Sequence, residues 1–152
     1  MALVRTDDAL LRRTAWLMLV TDVGFLVYWA LIATRALPAE QMFANYDDPF
    51  VAAWNWSFLP LDVLASLTGF LALRALHQGR SGAAVLLPIS LTLTATAGGM
   101  ALAFWTLTGD FELSWWVPNA YLMIFPLPLL LRLVRRPLGA PDLRQPTQHP
   151  SQ

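Results

Sequence analysis

The chain has 152 residues, 57% of them apolar and only 13% charged. A soluble domain carries roughly 25% charged residues, so an ordinary soluble fold is excluded and an integral membrane protein is indicated. With no cysteine, disulfides, thiolate metal sites and cysteine nucleophiles are excluded as well.

Residues 1–13 read as a short cytoplasmic lead. Residues 14–35 form the first apolar segment, too long for a signal-peptide core and with no A-x-A site after it. Leu37-Pro38 stops that helix. Residues 39–49 make an outer loop, and a second span covers 50–73 with Pro60 inside it. A basic turn from Arg74 to Arg80 follows, marked by Gly79 and Gly82. The third span, 83–107, has Pro88 in its first turns and carries Ser90, Thr94 and Gly98 at spacing four beside Ala95 and Gly99. Such a small-residue face lets membrane helices approach closely. The loop TGDFELS, 108–114, offers Asp110 and Ser114 as caps for a fourth span over 115–133. Pro118, Pro126 and Pro128 are expected to bend or shorten that span. Residues 137–152, proline-rich and poor in apolar side chains, read as a disordered cytoplasmic tail. A span needs about 20 apolar residues to cross a hydrocarbon core of about 30 Å. The expected architecture is therefore all-α, a single four-span helical bundle over residues 14–136.

The formal net charge is zero, but the distribution of charge is uneven, because every basic residue is an arginine in a loop or at a helix end. Arg5, Arg12, Arg13, Arg74, Arg80, Arg132, Arg135, Arg136 and Arg144 fall on one side. The other side holds Arg35 with Glu40, Asp47, Asp48, Asp110 and Glu112. The positive-inside rule then sets both termini in the cytoplasm of a multi-pass protein of the cell membrane.

Against that background Asp22 and Asp62 stand out, since each interrupts a stretch otherwise suited to lipid. A central aspartate costs about 2.5–3.5 kcal/mol on insertion scales. Counting helical rise, Asp22 lies about 13–14 Å from Arg13 and Asp62 about 18 Å from Arg74, which sets both near the midplane. On the second span Asn55, Leu59, Asp62, Ser66 and Gly69 fall on one helical stripe, which should face the bundle interior. On the first span the matching stripe is Asp22, Phe25, Leu26 and Trp29, so aspartate and tryptophan are expected to share one cavity wall. Trp105, Trp115, Trp116 and Asn119 lie at the corresponding outer level, and Trp54 and Trp56 complete the set.

Each feature has a plainer reading. Tryptophans form interfacial belts, although belts occur on both sides and here only Trp16 is near the cytoplasmic surface. The aspartates serve equally as an interhelical polar lock, while desolvation disfavours a charged carboxyl and suits a proton donor or a proton-coupled binding group. Pro60 either frees a carbonyl one turn from Asp62 or simply kinks the helix. Asp110 and Glu112 read as caps or solvated charges before they read as the lip of a cavity. His77 and His149 have no metal-ligand spacing, and no metal, cofactor, phosphate-loop or nucleic-acid signature is present.

The phrases LVTDVGFLVYW (19–29), VAAWNWSFLPLDVLASLTG (51–69) and AFWTLTGDFELSWWVPNAYLMIFP (103–126) resemble the uncharacterised YvaD-like family of small bacterial membrane proteins. The resemblance implies a four-span architecture over about residues 16–126 and carries no activity with it.

Three functions fit these residues. In the first, an outward-facing pocket binds a hydrophobic or cationic small molecule, or transports it with proton coupling. Asp22 and Asp62 serve there as proton donor or acceptor, and Trp29, Asn55, Trp56, Trp105, Trp115, Trp116 and Asn119 as ligand contacts. In the second, a membrane isomerase or cyclase protonates an isoprenoid or lipid alkene through an aspartate. In the third, the chain is a structural subunit of a membrane complex. The expected partners are the lipid bilayer and a small molecule, with a homo-oligomer left open and nucleic acid excluded.

Overall fold

The computed structural model describes residues 8–36, 38 and 45–135. The expectations for the lead before Asp8, for Leu37, for most of the first loop and for the tail lie outside the described residues. Six helices follow in order: α1 (Ala9–Thr34), α2 (Pro49–Trp56), α3 (Leu59–His77), α4 (Ala83–Thr108), α5 (Leu113–Ile124) and α6 (Leu127–Arg135). No strand occurs among the described residues.

These helices make four spans, with α2 and α3 forming the second and α5 and α6 the fourth. Ala9–Thr34, Pro49–His77, Ala83–Thr108 and Leu113–Arg135 have 26, 29, 26 and 23 residues. At about 1.5 Å per residue each is long enough for a hydrocarbon core of about 30 Å.

The prolines explain why two spans are broken. Pro60 has no N–H for the Trp56 carbonyl, and the chain tightens at Ser57 and Phe58, where the Phe58 amide donates to the Asn55 carbonyl at 3.1 Å. Pro126 and Pro128 likewise leave the Leu122 and Ile124 carbonyls without their helical donors, and α5 ends at Ile124. Pro118 and Pro88 remain inside their helices.

Helix ends follow local chemistry. Asp8 Oδ1 accepts from the Leu10 and Leu11 amides at 3.1 and 3.4 Å, starting α1 ahead of the apolar run. Its other oxygen pairs with Arg132 on α6. Asp48 caps α2 at the Phe50 amide, 2.8 Å, with Pro49 in the first turn. Gly109, at φ 74°, turns the chain out of α4. The expected caps of α5 are corrected: Glu112, in extended backbone, holds the N-cap position. Asp110 Oδ1 instead accepts from the Glu112 amide at 3.2 Å, and Ser114 Oγ donates to Glu112 Oε1 at 2.7 Å.

The chain packs up and down, α1 against α3, α3 against α4 and α4 against α5, with α6 closing toward α1 and α4. Small residues set the closest approaches. A methyl group on Gly69 would overlap the Asp22 carboxylate, and one on Gly98 would overlap the Asn119 carbonyl oxygen and the Met123 amide of α5. The Asn55–Gly69 stripe faces inward, with Asn55, Asp62, Ser66 and Gly69 all buried.

The core has two halves. At the arginine-rich end Leu11, Met18, Ala72, Leu87, Leu91 and Leu129 form an aliphatic cluster. At the tryptophan-rich end Trp29, Ile32, Val51 and Trp105 form a cluster flanked by Tyr28, Trp54, Phe58, Phe104, Trp115 and Trp116. Buried Thr21, Asp22, Ser66, Ser90 and Thr94 lie between them.

Candidate functional site: an aromatic cavity with one aspartate

The aromatic half holds a partly open cavity of about 350 Å³, within the size range of small-molecule sites. Asp62, Trp29, Asn55, Trp105, Trp115 and Asn119 line it, together with Tyr28, Trp54, Phe25 and Phe58. Trp29 Nε1 donates to Asp62 Oδ2 at 2.9 Å, and the Tyr28 hydroxyl donates to Asn55 Oδ1 at 2.9 Å. Each of these bonds ties α1 to the second span and leaves one polar atom over. Asp62 Oδ1 and Asn55 Nδ2 are buried and have no hydrogen-bond partner.

Asp22 is not part of this wall. Its carbonyl accepts from Ser66 Oγ at 3.2 Å, so its backbone stands level with a residue one turn from Asp62. Side chains lean toward the N-terminus of their own helix, and α1 and α3 run antiparallel. The Asp22 carboxyl therefore leans toward the arginine-rich end, where it lies against Gly69, while Asp62 leans toward Trp29. Gly69 lies seven residues beyond Asp62, or about 10 Å along the axis. The expectation that Asp22 shares the cavity wall with Trp29 is corrected: Trp29 lines the cavity with Asp62, and the Asp22 carboxyl stands apart from it. Neither oxygen of Asp22 has a hydrogen-bond partner.

Three further expectations change. Leu26 is 43% exposed, because the buried face of α1 runs through Met18, Asp22 and Trp29 and turns Leu26 outward. Trp56 lies outside the cavity lining, with its ring 5.4 Å from that of Trp29. Trp116 stays with the loop, donating from Nε1 to the Asp110 carbonyl at 3.0 Å and stacking on Phe111 at 5.3 Å. Asn119 lines the cavity but spends an amide hydrogen on the Trp115 carbonyl of its own helix, at 2.7 Å.

Tyr28, Trp54 and Phe58 line the cavity without being among the expected ligand contacts, Trp54 being expected only in the outer set of tryptophans. Trp54 stacks on Phe104 at 3.9 Å and meets Trp105 edge-on at 5.5 Å. A signal for all three exists, since Phe25, Tyr28 and Trp29, like Val51, Trp54, Asn55 and Phe58, follow i, i+3, i+4 spacing. Chemically the lining carries one unpartnered carboxyl oxygen, one unpartnered amide nitrogen and several aromatic faces. An organic cation gains about 0.5–2 kcal/mol from each aromatic face it contacts.

No solved structure matches the chain. It is 46% identical over 121 residues to the Uncharacterized protein YvaD of Bacillus subtilis (strain 168), an alignment covering 78% of this chain and 91% of that protein. Residues 14–138 match the family described as "Family of unknown function (DUF5360)". The chain is therefore a member of the DUF5360 family, and of the YvaD-like proteins within reach of that match.

Proposed function

We propose that the protein binds a hydrophobic or cationic small molecule in the aromatic cavity, with Asp62 as its anionic contact. The observation that carries this reading is the Asp62 carboxylate: Trp29 fixes one oxygen, the other is buried without a hydrogen-bond partner, and the side chain lines a cavity walled by Tyr28, Trp54, Trp105 and Trp115. Fixing one oxygen orients the second without neutralising it, which pre-organises the site for a donor. The arginine distribution supports a membrane orientation with both termini cytoplasmic and the cavity in the outer half. Proton-coupled transport is the stronger form of this reading, in which Asp62 exchanges a proton for the cation. Protonation of an alkene by the isomerase route would rest on Asp62 as well, since Asp22 does not line the cavity.

Titration of tetraphenylphosphonium, a hydrophobic aromatic cation, into the protein in lipid nanodiscs tests the proposal through tryptophan fluorescence. Saturable quenching that weakens about tenfold or more in Asp62→Asn is expected, equivalent to about 1.4 kcal/mol. Purely linear partitioning, or equal saturable binding in the variant, would contradict it.

A further inference from the structure

The cavity has one thin wall. Its lining from α3 and α4, Asp62, Ala97, Ala101 and Trp105, is buried. Its lining from α5 is nowhere buried, and Phe25 and Tyr28 of α1 are only half-buried. Among the described residues α1 and α5 do not form one of the close helix pairings. They meet through the Thr21 and Tyr121 hydroxyls, 3.3 Å apart.

This seam lies at membrane depth. Phe25 is nine residues below Thr34, and Leu122 nine residues below Leu113, or about 14 Å from the helix ends in each case. The faces beside it carry Val117, Tyr121 and Ile124, all exposed, as lipid-facing positions of a span should be. Across the cavity from the seam, the second span contributes two lining residues that each carry a buried polar atom without a partner, Asp62 Oδ1 and Asn55 Nδ2, and that are 5% and 9% exposed. One needs a donor and the other an acceptor.

Resting on the binding reading above, we infer that the ligand is a single-chain amphiphile with an amino-alcohol head, which enters sideways from the bilayer between α1 and α5. The ammonium donates to Asp62 and the hydroxyl accepts from Asn55, while the hydrocarbon chain stays in the seam. A chain left in lipid loses no hydrophobic solvation on binding, so the head contacts decide the affinity.

A photoreactive probe tests this directly. N-dodecylethanolamine carrying a diazirine at the end of its chain is added to the protein in nanodiscs, photolysed, and its adducts are mapped by mass spectrometry. Adducts on Phe25, Tyr121 or Leu122 are expected, abolished by excess unlabelled amine. Their yield should fall about tenfold in Asp62→Asn, and also in Asn55→Leu, which removes the amide donor at similar size. Competable adducts on residues 45–48 or 109–112 instead would overturn lateral entry while leaving ligand binding intact. The absence of any competable adduct would overturn both. Undiminished competable labelling in the two folded variants would overturn the head assignment.

Discussion

The two halves of this bundle are built from the same four spans but packed by different rules. At the arginine-rich end, flexible aliphatic side chains such as Leu11, Met18, Leu87 and Leu91 interdigitate around α6. At the tryptophan-rich end, large rigid rings meet edge-on and stacked, as at Trp54, Phe104 and Trp105, and leave the cavity between them. Rings of fixed shape fill space less completely than leucines that can choose rotamers. The aliphatic half holds the bundle, and the aromatic half is free to hold something else.

Substitutions can break this division in order of size. The largest effect is expected at Gly98, where any side chain meets the backbone of α5 rather than a movable side chain. Gly98→Leu should cost about 3 kcal/mol or more, seen as loss of a folded peak in detergent. Gly24→Ala, where an added methyl meets nothing within 4 Å, should stay within about 0.5 kcal/mol of the wild type. Next is Leu91→Ala in the aliphatic half. In a bilayer the unfolded helices remain in an apolar solvent, so the cavity contribution dominates and about 2 kcal/mol is expected by unfolding in mixed micelles. Tetraphenylphosphonium affinity should not change. Trp105→Leu should do the reverse, weakening that affinity several-fold through loss of about 0.5–2 kcal/mol of cation–aromatic attraction, with a smaller loss of stability.

The smallest effect concerns the clasp between α1 and α6. Burial raises the Asp8 carboxyl, but the Arg132 guanidinium and the Leu11 and Leu10 amides outweigh it and hold the group below its ordinary value. A depressed value means the stabilisation is complete above the unfolded carboxylate value of about 3.9 and is lost as pH falls through the folded value. The Arg132 side chain is 45% exposed, so Asp8→Asn should cost only about 0.2–1 kcal/mol at neutral pH. The difference in melting temperature between variant and wild type should close as the medium is acidified past that window.

Much of this was legible from residue order. Hydropathy marks four apolar spans, and the period of Asn55, Asp62, Ser66 and Gly69 marks their inward face. The relative height of two neighbouring helices was not legible. Depth counted from arginines sets Asp22 and Asp62 together, whereas the lean of side chains on antiparallel helices carries them apart to Gly69 and Trp29. Composition marked tryptophan as the wall material but did not separate Trp54, turned inward, from Trp56, 42% exposed. Both rings lie on α2, where positions two apart point about 200° from each other, so only one of them can face inward.

The separation of the two aspartates is the centre of this account, and calorimetric titration of tetraphenylphosphonium into Asp62→Asn and Asp22→Asn in nanodiscs tests it most directly. Binding should weaken about tenfold or more in Asp62→Asn and remain at the wild-type level in Asp22→Asn. Equal loss in both variants, or loss in Asp22→Asn alone, would contradict the assignment of the cavity to Asp62.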